Sequence, residues 1–318
     1  MLHLKNNLIY NPEKSSKLVH WNQSDDDCCQ WHGVTCKDGH VTALDLSQES
    51  ISGGFDDSSA LFSLQYLQSL NLAFNDFSSM IPSMIPQELH NPKGNFSPHK
   101  VRHILKLEKP NIEILMQNLK NITELYVDGV AISAGRAELG RALSSMEGLR
   151  VLSMSSCNLS GPIDSSLAKL QSLYVLNLSH NNFSSIVPDS FTNLSNLTIL
   201  QLSSCGLNGF FPKDIFLIHT LNVIDISENQ NLNGSLPNFP PLASLHYLNL
   251  ANTNFSGPLP NTISYLKQLS TIDLSYCQFN GRIPSSMSKL TQLVYQDMSL
   301  TLQHFVSFNF LPTSLLEQ

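Results

Sequence analysis

Charged residues are scarce in this sequence. Asp, Glu, Lys and Arg make up 14% of its 318 residues, against about a quarter in a typical soluble domain. Lys and Arg number 18 against 25 Asp and Glu, which gives a net charge of −7, and these bases are scattered. Proteins that bind nucleic acid concentrate their bases on one face, so we expect no nucleic-acid partner.

Long apolar runs and catalytic motifs are also missing. No apolar run approaches the roughly 18 residues that a membrane-spanning helix needs, and the opening MLHLKNNLIYNPEK lacks the apolar core of a signal peptide. The sequence contains no HExxH, GxSxG, GxGxxG or P-loop motif. Those motifs accompany the common hydrolytic and nucleotide-binding sites. We therefore predict that the chain is not an enzyme, binds no metal or cofactor, and lacks both a secretion signal and a membrane anchor.

What is present is a repeat with a period of 24 residues. Each copy follows L-x-x-L-x-L-x-x-N/C-x-L, which is the signature of a leucine-rich repeat. One copy cannot bury its own apolar face, but stacked copies can, so the pattern predicts an α/β repeat solenoid with a parallel sheet along one side. The leucines that mark the register are Leu149, Leu173, Leu197, Leu221, Leu245, Leu269 and Leu293.

Departures from the repeat divide the chain into five segments. The irregular segment supports two interpretations, a functional loop-out or an error in the gene model, and the doubled Ser-Met-Ile-Pro before it favours the error. The predicted segments are a cysteine-containing cap (1–40), repeats (41–83), the irregular segment (84–120), repeats of 24-residue period (121–299) and a tail without repeats (300–318).

The cap is predicted to combine a helix with a hairpin. Asn11 followed by Pro12 has the form of a helix start, and we expect residues 1–21 to be helical. Asp38–Gly39 is a two-residue hairpin signal placed just before the first repeat strand. Together the helix and hairpin would cover the open end of the solenoid core.

Three cysteines stand at the N/C position of the repeat, which we call the ladder position. An inward asparagine bonds the backbone of neighbouring coils there, and a thiol does so only weakly. The three are two and three repeats apart, or roughly 10 and 14 Å at the spacing of parallel strands. A disulfide needs Cα atoms within about 7 Å, so we predict three buried free thiols. We call them the ladder cysteines: Cys157, Cys205 and Cys277.

Several copies carry an insertion of the form Gly-x-Ile/Leu-Pro, beginning at Gly161, Gly234, Gly257 and Gly281. With the 24-residue period, this insertion resembles the plant extracellular type of leucine-rich repeat. The resemblance implies a second short sheet beside the first.

The motif CCxWxGVxC at residues 28–36 resembles the N-terminal cap of plant receptor-like proteins, receptor kinases and polygalacturonase inhibitors. The resemblance implies that Cys29 pairs with Cys36 and that Cys28 pairs with a cysteine upstream of the first helix. No cysteine precedes Cys28, so we expect the chain to begin inside the cap helix and leave Cys28 unpaired. A zinc site is the alternative, but a fourth ligand at zinc-finger spacing is missing.

Acidic and tyrosine residues recur at outward positions of the predicted strands, on the concave face. Three interpretations exist: a solvated polar face, a pair of glycosidase carboxylates, or a surface for a basic peptide or protein, which we favour. The predicted binding residues are Tyr126, Asp128, His180, Asp225, Glu228, Tyr247, Asp273 and Tyr276.

Sequons for N-glycosylation are frequent, and they favour an oxidising, extracellular setting when taken with the cysteine cap. The Asn-Leu-Ser of the repeat also produces such sequences by itself. Besides sequons at Asn95 and Asn177, the candidates are Asn22, Asn121, Asn158, Asn182, Asn193, Asn196, Asn233 and Asn254.

Across most of its length the chain resembles plant receptor-like proteins of the Verticillium-wilt-resistance type. The similarity is carried by the cap, by residues 105–133 and by the repeat beginning at Ser155. It implies a surface immune receptor that recognises a microbial or self peptide or protein and signals through partner receptor kinases at the plasma membrane. The alternatives are a secreted protein resembling polygalacturonase inhibitors, a non-functional truncated product, and an enzyme.

Overall fold

The computed structural model describes residues 1–22, 27–55, 59–75, 105–107, 118–132, 140, 142–143 and 146–297. Most of the irregular segment, the sequon at Asn95 and the whole tail from residue 300 lie outside the described residues. What the sequence predicts for those stretches therefore stays a prediction.

The repeat coils stack through a sheet of 11 strands, which we call the principal sheet. Ten of its strands are parallel, and the cap strand Val34–Lys37 pairs antiparallel at one edge. Each regular coil contributes three strand residues, of which the middle one, such as Leu176, Leu200 or Ile224, is buried. Equivalent residues of successive coils lie directly opposite one another, so the buried residues stack into one continuous core. The prediction of a leucine-rich-repeat solenoid is confirmed.

Short strands account for the β structure of the described residues, and the elements that follow are numbered in chain order. They are β1 (Ile9–Tyr10), β2 (Val34–Lys37), β3 (His40–Asp45), β4 (Ile51–Gly53), β5 (Ser69–Asn71), β6 (Leu105–Leu107), β7 (Glu124–Tyr126), β8 (Val130–Ile132), β9 (Val151–Ser153), β10 (Val175–Asn177), β11 (Ile199–Gln201), β12 (Asn208–Phe210), β13 (Val223–Asp225), β14 (Asn229–Gly234), β15 (Tyr247–Asn249), β16 (Thr253–Pro258), β17 (Thr271–Asp273), β18 (Gln278–Asn280) and β19 (Tyr295–Asp297).

A second sheet runs beside the principal sheet, as the resemblance to the plant extracellular type of repeat implied. Its four parallel strands are ordered β12-β14-β16-β18. A separate parallel pair joins β6 to β8. β6 lies within the irregular segment 84–120.

On the back of the solenoid, six coils turn through a single 3₁₀ helix within the described residues. Proline directly precedes four of these turns as the N-cap residue, where its fixed φ suits the extended backbone and its missing N–H is not needed. The turns span Ala60–Ser63, Ser165–Lys169, Asp189–Asn193, Lys213–Leu217, Asn261–Tyr265 and Ser285–Lys289.

The cap contains one short helix, α1 (Leu2–Asn7), rather than the helical stretch predicted for residues 1–21. After α1 the chain becomes extended, and β1 pairs antiparallel with β4 of the first coil. Later in the predicted helix, Leu18–His20 form a 3₁₀ turn. A second 3₁₀ turn follows at Cys28–Gln30, beyond the predicted helix. The hairpin was predicted correctly, because β2 and β3 pair across Asp38 and Gly39, both with positive φ.

A buried carboxylate accounts for the absence of an α-helix at residues 16–18. Glu49 is 0% exposed and stands at the ladder position of the first coil. Its two oxygens accept the backbone N–H groups of Ser16, Lys17 and Leu18 and the hydroxyls of Ser15 and Ser16. Those N–H groups would otherwise donate along a helix, so the carboxylate replaces the helical bonds and fastens the cap to the repeats.

From Cys157 to Asn229, cysteine and asparagine alternate along the ladder position of successive coils. Asn181 accepts the N–H groups of Cys157 and Leu159 and donates to the carbonyl of Met154, so it makes three bonds to the preceding coil. Cys205 donates only once to the preceding coil, from Sγ to the carbonyl of Leu178 at 3.1 Å. Neighbouring coils are therefore joined alternately by several amide bonds and by one thiol bond.

Candidate functional site

The outward side chains of the principal sheet form two rows that cross the coils. The first and third residues of each strand face away from the core, and the parallel register aligns them with the same positions of the next strand. We call the two rows together the sheet face. Row A contains Val175, Ile199, Val223, Tyr247 and Thr271, and row B contains Asn177, Gln201, Asp225, Asn249 and Asp273.

Tyr247 lies between two acids on the sheet face. It stands in row A, and Asp225 and Asp273 stand in row B on the strands either side. Burial and then the negative charges of Asp225 and Asp273 raise the pKa of Tyr247, although a hydrogen bond from Asn249 opposes this shift. This neighbourhood resists a further negative charge and favours a positive one.

The two acids also have a local structural role. Oδ1 of Asp225 accepts the N–H and hydroxyl of Ser227, and Oδ1 of Asp273 does the same for Ser275. These bonds are typical Asx turns, so they account for an aspartate here without any ligand. They use one oxygen of each carboxylate, and the other oxygen makes no hydrogen bond within the described residues.

His180, Glu228 and Tyr276 lie in the turn that follows the strand, beside the sheet face rather than on it. Each has a left-handed backbone, with φ of 57°, 57° and 55°. Their side chains are exposed, and Glu228 accepts a hydrogen bond from Asn252 of the next coil. Glu228 and Tyr276 belong to the coils on either side of Tyr247, and His180 lies three coils away.

Asp128 corrects the predicted binding surface. It is only 7% exposed, and its Oδ1 accepts the hydroxyl of Ser153 and the N–H of Ser155 at 2.7 and 2.8 Å. The strand pattern placed it outward, but the side chain turns along the sheet to bind the next coil. Asp128 is therefore not available to a ligand.

Tyr126, on β7, lies in a second aromatic part of the sheet face, nearer the cap than Tyr247. It is half-buried, and burial is the main cause that raises its pKa. The negative charge of Glu124, and then Tyr174 and Asp128, raise this pKa further. Arg150 lies 5.4 Å from the ring centre of Tyr174. Tyr126 also lines an open hollow of about 420 Å³ between the cap hairpin and the first coils.

Sequence reasoning missed the aliphatic part of row A. Val175, Ile199 and Val223 lie side by side on the sheet face and are half-buried. A signal was available, because each occupies the same outward strand position as Tyr247. Attention to charged and aromatic residues alone left these three out.

Family models match the repeats and the cap separately. One model described as leucine rich repeat matches residues 147–207. A second model of the same description matches residues 66–87, 244–266 and 268–290. A model described as leucine rich repeat N-terminal domain matches residues 1–37. The chain is a leucine-rich-repeat protein.

Curated relatives of this leucine-rich-repeat chain are plant receptor-like proteins. Receptor-like protein 6 of Arabidopsis thaliana is 35% identical over 210 residues, covering 56% of this chain and 21% of that protein. Receptor-like protein Cf-9 of Solanum pimpinellifolium is 31% identical over 189 residues, covering 52% of this chain and 21% of that protein. The chain thus spans about a fifth of the length of these relatives.

Solved leucine-rich-repeat ectodomains share the fold. The Arabidopsis receptor kinase HAESA, crystallised with the peptide hormone IDA and the co-receptor SERK1, has a TM-score of 0.67 at 24% identity. That alignment covers 93% of this chain and 48% of HAESA. The ectodomain of GASSHO1/SCHENGEN3, crystallised with CASPARIAN STRIP INTEGRITY FACTOR 2, has a TM-score of 0.64 at 23% identity, covering 92% and 34% of the two chains.

The cysteines of this leucine-rich-repeat chain are divided between the cap and the ladder. Cys29 and Cys36 form a disulfide, which leaves neither thiolate for zinc, and Cys28 is free and half-buried. The ladder cysteines are free and buried, and burial raises the pKa of Cys205 to about 11. In the described part of the chain no cluster of three or more His, Cys, Asp or Glu residues is placed to hold a metal ion.

Most of the described sequons are exposed and lie away from the sheet face. Asn177 stands in row B, where its amide bonds Ser153 and Ser179, and Asn233 is half-buried in the second sheet. Over the described residues, no helix is both long enough and apolar enough to cross a bilayer. The exposed sequon asparagines are Asn22, Asn121, Asn158, Asn182, Asn193, Asn196 and Asn254.

Proposed function

We propose that this chain is the ligand-recognition part of a plant cell-surface receptor-like protein in defence signalling. Its sheet face binds a peptide or protein outside the cell, and the complete protein signals through partner receptor kinases. The relatives support the receptor class, since both are named receptor-like proteins. We infer no catalytic step for this role.

The observation that carries the proposal is Tyr247 flanked by Asp225 and Asp273 on the sheet face. Rows A and B, as defined on strands β10 to β17, contain no Lys, Arg or His, so no basic side chain within them neutralises the two carboxylates. A basic ligand gains from a face of opposite charge, and tyrosine supplies a large contact area at low entropy cost. We therefore assign a cationic residue of the ligand to this point.

Panning a library of seven-residue synthetic peptides on the immobilised chain tests the assignment. We expect the selected peptides to be rich in Arg and Lys and to bind more weakly as salt increases. Replacing Asp225, Glu228 and Asp273 by lysine should lower the affinity of a selected peptide by about tenfold or more, as expected for loss of charge complementarity.

A matched variant controls for net charge. Glu147, Asp189 and Asp214 are exposed acids outside the sheet face, and replacing them by lysine makes the same change of six charge units. We expect this variant to retain binding. Equal affinity of both variants for the selected peptides would refute the assignment.

A further inference from the structure

The second sheet carries a row of three residues in consecutive register. Phe210 on β12 lies opposite Asn233 on β14, and Asn233 lies opposite Asn254 on β16. Both asparagines belong to sequons, and Phe210 is 78% exposed. Two adjacent sugar-acceptor sites thus lie next to an exposed aromatic ring.

The amide of Asn233 is fully used by the sheet. Its Nδ2 donates to the carbonyls of Gly209 and Asn231 at 3.3 and 3.2 Å, so both amide hydrogens have partners. Its Oδ1 accepts a hydrogen bond from Nδ2 of Asn254. The side chain is half-buried between its neighbours.

The amide of Asn254 is different. Its side chain is exposed, and one hydrogen of Nδ2 binds Asn233 while the other makes no hydrogen bond within the described residues. In N-glycosylation Nδ2 replaces the lipid diphosphate at C1 of the first N-acetylglucosamine. One amide proton leaves with the lipid diphosphate, and one N–H remains on the asparagine.

The single amide hydrogen that glycosylation leaves on Nδ2 decides which of Asn233 and Asn254 can carry a glycan in the folded protein. A glycosylated Asn254 keeps its bond to Asn233, whereas a glycosylated Asn233 loses one bond to the sheet and must place a sugar in a half-buried position. We propose that the folded protein carries its glycan at Asn254 and not at Asn233, and that the first sugars lie along the row over Phe210.

The exposed ring supports the position of the sugars. Phe210 is two strands from Asn254, or about 10 Å at the spacing of adjacent strands. Ile186, which is 60% exposed, lies against Gly209, the residue before Phe210. Phe210 thus offers an exposed ring, and the apolar face of a pyranose ring stacks on an aromatic ring.

The test uses the whole chain, secreted from plant cells behind an added leader. Ser256→Ala and Ser235→Ala each remove one sequon at an exposed serine and keep both asparagines. Peptide mass spectrometry should show one glycan lost in Ser256→Ala and none lost in Ser235→Ala. A glycan on Asn233 of the folded protein, or none on Asn254, would overturn the site assignment.

Hydroxyl-radical labelling tests the position of the sugars. Oxidation of Phe210 should rise by about twofold or more in Ser256→Ala, and in wild type after enzymatic removal of the glycan, because the ring then becomes solvent-exposed. Tyr66, which is 55% exposed in the first coils before β5, is the internal control and should not change. An unchanged Phe210 rate would show that the sugars do not lie over the ring.

Discussion

Removing the carboxylate of Glu49 should detach the cap without unfolding the repeats. The carboxylate is the acceptor for donors on Ser15, Ser16, Lys17 and Leu18. Glu49→Ala leaves those donors without a partner. In Glu49→Gln, one oxygen remains and an NH₂ group faces half of the donors, so its effect should be smaller.

The size of the effect follows from which donors are buried. Ser15 and Leu18 are buried, Lys17 is half-buried and Ser16 is exposed, so water can replace the acceptor only for some of them. A buried donor without a partner costs about 1–3 kcal/mol. We expect Glu49→Ala to reduce the free energy of cap opening by about 2–4 kcal/mol.

The cap can be observed separately because both tryptophans of the chain lie in it. Trp21 and Trp31 are buried and stacked at 5.3 Å. In a denaturant titration, tryptophan fluorescence therefore reports the cap while circular dichroism reports all coils. In a repeat protein, terminal units can open on their own, so the fluorescence transition should move to lower denaturant while the dichroism transition moves little.

Glu13→Gln is the matched control, since Glu13 is an exposed acid of the same cap. It should leave both transitions in place. If Glu49→Ala leaves the fluorescence transition unchanged, the carboxylate does not hold the cap. If both transitions move together, the cap and the repeats unfold as one unit.

Three further outcomes follow from the structure. Burial raises the pKa of Glu49, but its hydrogen bonds outweigh this and keep the pKa below its usual 4.5. The carboxylate therefore stabilises the cap fully above about pH 4.5, and this stabilisation is lost as the pH falls through the lower pKa of the folded state. Glu49→Gln should flatten that part of the fluorescence-detected pH curve. Under native conditions one thiol, Cys28, should react quickly with a disulfide reagent, and the three ladder cysteines should react only in denaturant. Gly39→Ala should destabilise the cap by roughly 1–2 kcal/mol, because Gly39 has a positive φ. Gly33→Ala should destabilise it well beyond that, because Gly33 also has a positive φ and its added Cβ would lie 2.3 Å from the carbonyl oxygen of Asp45. Equal midpoints of the fluorescence-detected denaturant transition for the two variants would contradict this.

The coils could be predicted because their determinants are local and periodic. The same residue types recur every 24 positions, and the alternation around Leu176 or Leu200 states which side chains are buried. The hairpin was predictable for the same reason, since Asp38–Gly39 specifies its own turn. The second sheet came from a resemblance, because a glycine and a proline alone do not specify strand pairing.

The errors arose where a side chain from another coil decides the structure. Asn11–Pro12 has the form of a helix start, yet Glu49 takes the N–H groups that a helix would use. Its position in the first coil, at which Asn75, Asn181 and Asn229 stand in later coils, was the available signal. Asp128 was assigned to the surface because strand alternation says nothing about a carboxylate that bends toward Ser153.

The alternating ladder also has a mechanical meaning. Asn181 clamps its coil to the one before it, Asn229 does the same to the coil of Cys205, and between these pairs the ladder contributes only the thiol of Cys205. The elastic unit of this region is thus two coils of 24 residues rather than one. A stretching force along the solenoid axis would concentrate strain at the joint between Asn181 and Cys205.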